Sequence, residues 1–288
     1  YGALARRCKT FFYTQGRKTV IAAIAAMARM MGLGQSYTLP MPSQKYGTVP
    51  DPAWKLKRHD HAWGQADTLN TSIGQGFLQV SPFQLAVVAA RIASGHQLSP
   101  HLIRKRGANA GPVLPIPIEH LAAVRRGMDE VVNAGGTAVR SKLQLEGIRL
   151  AGKTGTAQVR RITGSSRGGM NVPWKYRDHA LFLGFAPVEN PRYAAACVIE
   201  HGLHGSSAAA PVASDCMLYL FDQQKALAKL EDMEKGWGGD IPTRMRAEAA
   251  RWQAERLEAA NTQPTEMDNA SAASNATALT ANGTGTPE

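Results

Sequence analysis

An ammonium group and two hydroxyl groups lie close together in the sequence at Lys153, Thr154 and Thr156. From Thr156 onward polar and apolar residues alternate, which is typical of a β-strand with one polar and one apolar face. Gly152 and Gly155 flank the Lys-Thr pair, and a residue without Cβ lets another backbone approach closely. We therefore predict a sheet strand that presents a cation and hydroxyls beside an open edge. This arrangement suits the binding of an extended peptide that ends in a carboxylate.

The same stretch also matches the pattern of a nucleotide-binding P-loop, with four residues between Gly147 and Gly152-Lys153-Thr154. A P-loop requires a glycine-rich turn that leads directly into a helix. Here the intervening residues are Ile-Arg-Leu-Ala, which favour a strand or a helix over a turn. The residues Gly-Thr-Ala-Gln-Val that follow are a poor helix start. These features favour the peptide-binding strand, and a chance Lys-Thr-Gly in a structural strand is a third interpretation.

Helix and strand patterns indicate which elements must position this stretch. Helical spacing of apolar residues predicts helices over residues 1–34, 83–93, 119–133, 206–221 and 242–259. Further strands are predicted at 180–186 and 192–200, joined by a turn at 189–191. Residues 36–70, rich in proline, glycine, tryptophan and charge, are predicted to form a long functional loop or lid. Three successive strands flanked by helices indicate an α+β fold with an antiparallel sheet.

The composition favours anionic partners, since the formal net charge is +11. The basic pairs are scattered and no aromatic residues interleave with them, so we expect a solvated basic surface and no nucleic-acid partner. The three cysteines lie far apart without a CxxC pair, and we expect buried thiols. No stretch approaches the roughly 20 apolar residues of a membrane helix. Because the chain begins with Tyr1, we expect an internal fragment whose N-terminal part, with any membrane anchor, is missing.

Four blocks of sequence together carry a resemblance to a known family: AGKTGTAQV, SIGQGFLQVSPFQLA, RDHALFLGFAP and RYAAACVIEHG. Over residues 1–221 the chain resembles the transpeptidase domain of class B penicillin-binding proteins, in particular the penicillin-binding protein 2 subfamily of rod elongation. The resemblance implies the α+β fold shared with serine β-lactamases, an antiparallel sheet flanked by helices, here incomplete at the N-terminus. With the composition, it predicts a partial transpeptidase (penicillin-binding) domain at 1–222, charged C-terminal helices at 223–260 and a disordered tail at 261–288.

The resemblance assigns roles to Lys153, Thr154 and Gly155, which form the Lys-Thr-Gly motif that lines the cleft in this family. Lys153 would set the electrostatics around the nucleophile. The hydroxyls of Thr154 and Thr156 would hold the carboxylate of a terminal D-alanine or of a β-lactam. The backbone N–H of Thr156 would be one oxyanion donor. Gln158, the next residue on the polar face, is expected to bind substrate along the strand edge.

Two further motifs of the family are not matched. No serine of the chain has lysine three residues on, so the serine nucleophile and its lysine are absent. The second motif, usually Ser-Cys-Asp or similar, falls on Arg7-Cys8-Lys9, where only Cys8 matches. Arg7 and Lys9 would place positive charge near the nucleophile's lysine and offer no hydroxyl relay. Either this copy is decayed or its N-terminal residues contain a sequencing or frameshift error.

The predicted function is that of a peptidoglycan D,D-transpeptidase of cell-wall elongation that binds penicillin, with this chain inactive on its own. The resemblance implies stem peptides and β-lactams as ligands, glycosyltransferase and other elongation-complex proteins as partners, and the periplasmic face of the bacterial inner membrane as location. It implies no cofactor, although Cys8 would help hold a structural zinc if aspartate and histidine ligands lie upstream. The alternative is a non-catalytic scaffold of the wall-synthesis complex, motivated by Arg7 and Lys9.

Overall fold

Three short helices begin the chain: α1 (Gly2–Ala5), α2 (Lys9–Lys18) and α3 (Ile21–Met30). They lie within the stretch predicted to be helical, in a computed structural model that describes residues 1–40, 44–103, 111–160 and 172–262. The helical run is broken at Thr19 and Val20, which are extended, and at Arg7, whose φ is 54°. A left-handed backbone is costly for a residue with a Cβ, so Arg7 forms a defined corner between α1 and α2.

Residues 36–70 contain two helices, α4 (Pro52–His59) and α5 (Gln65–Ser72, which ends just beyond), so the prediction of one long loop was wrong. The residues that suggested turns are helix starts here. Asp51 accepts a hydrogen bond from the Trp54 N–H at 2.8 Å, and Pro52 takes the first helical position. At the start of α5, Asp67 accepts from the Gly64 N–H at 2.7 Å.

An ion pair joins α4 to α5, with 2.6 Å between Nζ of Lys55 and Oδ2 of Asp67. Both side chains are largely buried, with exposed fractions of 13% and 17%. We expect Asp67→Asn to lower the free energy of unfolding at pH 7 by about 2 kcal/mol, because the Lys55 ammonium then loses its carboxylate in a poorly solvated place. Urea denaturation of the variant and the parent measures the difference.

The matched control is Asp60→Asn, which removes an exposed carboxylate at a left-handed position that asparagine tolerates well. Burial raises the pKa of Asp67, but Lys55 and the Gly64 N–H outweigh it and hold that pKa below its usual value. The contribution of Asp67 to stability is therefore present above the usual carboxyl range and is lost as pH falls through the lowered pKa. Equal effects of the two substitutions at pH 7 would contradict the assigned role of the ion pair.

Helices α6 (Pro82–Ser94) and α7 (Ile118–Asn133) lie close to their predicted bounds. Ser81 and Gln84 cap α6 reciprocally, each accepting at 3.2 Å from the backbone N–H of the other. Gln84 is buried and also donates to the Tyr46 carbonyl at 2.8 Å. The start of α6 is therefore tied to the segment that precedes α4.

Within the described residues the sheet has three strands: β1 (Ala151–Ala157), β2 (His179–Ala186) and β3 (Tyr193–Ile199). They pair antiparallel in the order β1-β2-β3, so β1 is an edge strand. After β3 a π-helical turn (Gly205–Ala209) leads into α8 (Ala210–Phe221). The predicted α+β fold with an antiparallel sheet flanked by helices is confirmed.

Alternating apolar residues place a helical layer against each face of the sheet. On one face Phe182 of β2 belongs to a buried cluster with Met217 of α8. On the other face Phe185 of β2 belongs to a second cluster with Ala93 of α6 and Met128 of α7. Because successive residues of β2 enter opposite cores, the pairing of β1 with β2 also decides which β1 side chains face which helices.

The chain divides into one unit at Tyr1–Ala226 and another at Leu227–Glu288. Helix α9 (Gln223–Gly236) crosses this boundary, and α10 (Ile241–Thr262) lies in the second unit. In the part of the chain that the structure describes, no helix combines the length and apolar character needed to span a membrane. Residues 263–288, most of the predicted disordered tail, lie outside the described residues. The predicted domain bounds at 222 and 260 stay predictions.

Candidate active site

Lys153 lies inside the edge strand β1, which continues as a strand to Ala157. A P-loop would place this lysine where a turn opens into a helix. β1 has neither feature at that point, so the nucleotide-binding alternative is wrong. Lys153 pairs with Leu183 of β2, and cross-strand partners share a face of the sheet. The Lys153 side chain therefore leaves the sheet on the same face as Leu183, which packs against the cluster of Ala93, Met128 and Phe185.

The environment of Lys153 is electropositive and partly desolvated. Its ammonium donates to the Thr154 carbonyl at 3.0 Å. Burial and, after it, the positive charge of Arg7 lower the pKa of Lys153 to about 8. Among the ion pairs of the described residues, none involves Lys153 or Arg7. The site therefore holds two neighbouring cations, one of which titrates close to neutral pH.

The two threonines of the motif have different environments. Thr154 is 3% exposed, and its hydroxyl lies 2.8 Å from that of Thr137, which follows α7. Thr156 is only partly buried, since it lies near the end of β1. A carboxylate-binding role for Thr154 stays a prediction, and Thr156 is the more exposed of the two threonines.

Two side chains from distant segments converge on Thr156. Gln75 donates from Nε2 to the Thr156 carbonyl at 2.8 Å. Nη2 of Arg7 lies 3.5 Å from Oγ1 of Thr156. Gln158 is exposed and lies one residue past the end of β1. The predicted substrate residues therefore lie along one strand end, with Thr156 at the centre of the contacts.

The glycines of β1 are required by close packing. A Cβ on Gly152 would lie 2.1 Å from Cζ of Phe182, so the aromatic ring fills that space. A Cβ on Gly205 of the π-helical turn would lie 2.6 Å from the Gly155 carbonyl oxygen. The turn before α8 therefore approaches β1 closely because Gly205 has no Cβ, whereas a Cβ on Gly155 would lie 3.2 Å from Cβ of Leu181. The predicted approach of a peptide at the open edge of β1 stays a prediction.

In the degenerate second motif, Arg7-Cys8-Lys9, Arg7 contacts β1 through its hydrogen bond to Thr156. Cys8 is exposed immediately before α2, and Lys9 is the exposed first residue of α2. Cys216 is also exposed, so the prediction of buried thiols was wrong for these two cysteines. No group of three His, Cys, Asp or Glu side chains in the described ranges is placed to hold a metal ion. A zinc-ligand role for Cys8 stays a prediction.

Sequence reasoning missed Thr137 and Gln75 as residues of the site. Each had a visible signal, because Thr137 follows Gly135-Gly136 at the end of α7 and Gln75 lies between glycines in Ser-Ile-Gly-Gln-Gly. Turn residues of this kind usually suggest only a change of chain direction. Here the turns also aim a polar side chain at β1, which no local pattern reveals.

The fold and the site together define a class of protein. A Lys-Thr-Gly strand at the edge of an antiparallel sheet, with helices on both faces, is the arrangement of the serine acyltransferases that recognise penicillin. The chain belongs to the penicillin binding protein transpeptidase domain family, whose sequence model matches residues 2–218.

Named relatives support this membership. The chain is 34% identical over 220 residues to peptidoglycan D,D-transpeptidase MrdA of Acinetobacter baumannii, covering 72% of this chain and 32% of that protein. It is 30% identical over 234 residues to MrdA of Haemophilus influenzae, covering 77% of this chain and 36% of that protein. The chain therefore spans about a third of the length of these curated relatives.

Solved structures are similar over the same part. The complex between penicillin-binding protein 2 and MreC from Helicobacter pylori has a TM-score of 0.67 and 32% identity, covering 77% of this chain and 40% of that chain. Penicillin-binding protein 2 of Pseudomonas aeruginosa in complex with WCK 5153 has a TM-score of 0.59 and 36% identity, covering 73% of this chain and 44% of that chain.

Proposed function

We propose that this chain supplies the substrate-binding strand of a peptidoglycan D,D-transpeptidase of bacterial cell-wall elongation. The single observation that carries the proposal is the Lys-Thr-Gly-Thr sequence on the edge strand β1, with a partly buried ammonium at Lys153 and a partly exposed Thr156. An edge strand offers unpaired N–H and C=O groups, with which an extended donor peptide can pair. The relatives named D,D-transpeptidases support the same assignment.

The direction of the Thr156 backbone supports an oxyanion role. Its carbonyl accepts from Gln75 and therefore faces away from β2. In an antiparallel pair the N–H and C=O of one residue point to the same side, so the Thr156 N–H also faces outward. The carbonyl oxygen of a peptide lying along β1 could accept a hydrogen bond from this N–H. Its terminal carboxylate would lie near the Thr156 hydroxyl and the Lys153 ammonium.

The complete reaction needs a serine that this chain does not contain in a Ser-x-x-Lys motif. In that reaction the serine hydroxyl attacks the donor peptide and releases D-alanine. An amine of a neighbouring stem peptide then attacks the acyl-enzyme and frees the serine. The chain alone is expected to bind the donor peptide reversibly and to transfer nothing. Gly205 would contribute by letting the π-helical turn pack directly against β1, since a Cβ there would lie 2.6 Å from the Gly155 carbonyl oxygen.

Thr156→Val tests the proposal directly. We expect the parent chain to bind a diacetyl-L-lysyl-D-alanyl-D-alanine peptide and Thr156→Val to bind it about 10-fold more weakly, since a hydrogen bond to a charged group is lost without change of volume. Titration followed by NMR measures both affinities. The same peptide with a C-terminal amide is the control ligand. Equal affinity of the parent chain for the acid and the amide would contradict the proposal.

A second candidate function is a non-catalytic scaffold of the wall-synthesis complex. It is favoured by Arg7 and Lys9, which stand where the resemblance leads us to expect a hydroxyl and a carboxylate. The coding sequence on the 5′ side of Tyr1 distinguishes the two functions. A Ser-x-x-Lys motif there favours the transpeptidase, and a reading frame without one favours the scaffold.

The proposed partners are proteins of cell-wall elongation, at the periplasmic face of the bacterial inner membrane. A similar solved structure is a complex of penicillin-binding protein 2 with MreC, which supports partners of this kind for the present chain. Stem peptides, β-lactams and a glycosyltransferase belong to the same proposal. Co-purification of the tagged protein with membrane-associated wall-synthesis proteins would test the assembly.

A further inference from the structure

The left-handed backbone at Arg7 directs its guanidinium toward β1. Arg7 has a left-handed backbone, with φ of 54°, between α1 and α2. From this corner its Nη2 lies 3.5 Å from Oγ1 of Thr156, across 149 positions of sequence. The guanidinium has further N–H groups, since it presents five donors in a rigid planar fork. The Thr156 hydroxyl and the guanidinium of Arg7 therefore lie next to each other in the site.

The charges around these two groups are unbalanced. Arg7 and Lys153 are both partly buried, and the charge of Arg7 disfavours the ammonium of Lys153. The ion pairs found in the described ranges leave out both cations. Two like charges in a partly desolvated place are unfavourable unless an anion lies between them. An anion at the Thr156 hydroxyl would contact the guanidinium of Arg7, whose positive charge also acts on Lys153.

We infer that Arg7 is a specificity-determining residue that binds the terminal carboxylate of the donor peptide together with the Thr156 hydroxyl. The inference rests on the proposed function, because it names an additional ligand to the same substrate. Charge-assisted hydrogen bonds from a guanidinium to a carboxylate are stronger than neutral ones, and the planar fork can donate two in parallel. The site is thereby suited to holding a carboxylate-terminated peptide and to discriminating against an amide or an extended peptide.

Three variants test the inference. Arg7→Gln removes the charge and the fork, Arg7→Lys keeps the charge without the fork, and Arg6→Gln makes the same charge change at the exposed neighbouring residue. The probes are the diacetyl-L-lysyl-D-alanyl-D-alanine acid and its C-terminal amide, titrated into the full 288-residue chain. We expect Arg7→Gln to bind the acid about 10- to 100-fold more weakly and to leave amide binding unchanged. Arg7→Lys should fall between Arg7→Gln and the parent, and Arg6→Gln should match the parent.

The outcomes separate this inference from the proposed function. If Arg7→Gln retains parental affinity for the acid while Thr156→Val loses it, the role of Arg7 is wrong and the proposed function stands. If Arg7→Gln weakens the acid and the amide equally, Arg7 only supports the corner and the inference is overturned. If the parent chain does not prefer the acid, both are overturned. Should Arg7→Gln lose its folded circular dichroism spectrum, the acid-to-amide ratio of Arg7→Lys decides, and a parental ratio overturns the inference.

Discussion

Gly152→Ala is expected to lower the free energy of unfolding by about 3 kcal/mol, through overpacking of a rigid core. The added Cβ would lie 2.1 Å from Cζ of Phe182 and 2.8 Å from the Leu183 carbonyl oxygen. Phe182 is 1% exposed, so its ring has no solvent-filled space into which it can move. The β1–β2 pairing would have to open to admit the methyl group. Urea denaturation followed by far-UV circular dichroism measures the loss.

The matched control for this prediction is Gly2→Ala, the same substitution in α1. A Cβ on Gly2 would meet no atom within 4 Å, and its backbone is not left-handed. We expect a change within about 0.5 kcal/mol, because an exposed helical position favours alanine slightly over glycine. Similar losses at Gly2 and Gly152 would show that the substitution itself, and not the contact with Phe182, is responsible.

Lys153→Met is expected to stabilise the chain by about 2 kcal/mol at pH 7. The pKa of Lys153 is lowered from 10.5 to about 8 by burial and by Arg7, and each unit corresponds to about 1.4 kcal/mol. Methionine keeps the length of the side chain without the charge. It also loses the hydrogen bond to the Thr154 carbonyl, which offsets about 1 kcal/mol of the gain.

The pH dependence identifies Lys153 as the cause. Well below pH 8 the lysine is protonated in both the folded and the unfolded state, and well above pH 10.5 it is neutral in both. Between these values the unfolded chain binds more protons, so the parent gains stability as pH rises, and Lys153→Met should lack this rise. Arg7→Gln should raise the pKa of Lys153 in the folded state only part of the way, because burial still lowers it. The pH range over which stability rises should therefore become narrower. If the stability of Lys153→Met rises with pH as much as that of the parent, the prediction is contradicted.

Local pattern was enough to predict most elements, because helical and strand spacing are properties of neighbouring residues. Helices α6 and α7 and strands β2 and β3 lie within about two residues of their predicted bounds. The loop prediction for residues 36–70 was wrong because aspartate and proline both end and begin helices. Whether such a residue ends or begins a helix depends on tertiary contacts that stabilise the following turn, such as the Lys55–Asp67 ion pair.

The sequence by itself determined that Lys153 lies on a strand with glycines on either side, since alternation and the lack of a helix start are encoded locally. It also determined that no Ser-x-x-Lys nucleophile is present. Only the tertiary structure decided that Thr154 is buried against Thr137 while Thr156 is partly exposed, and that Arg7 reaches the site. These choices depend on how the sheet, α7 and the corner before α2 pack together. Contacts between segments more than a hundred residues apart follow from that packing and not from any local pattern.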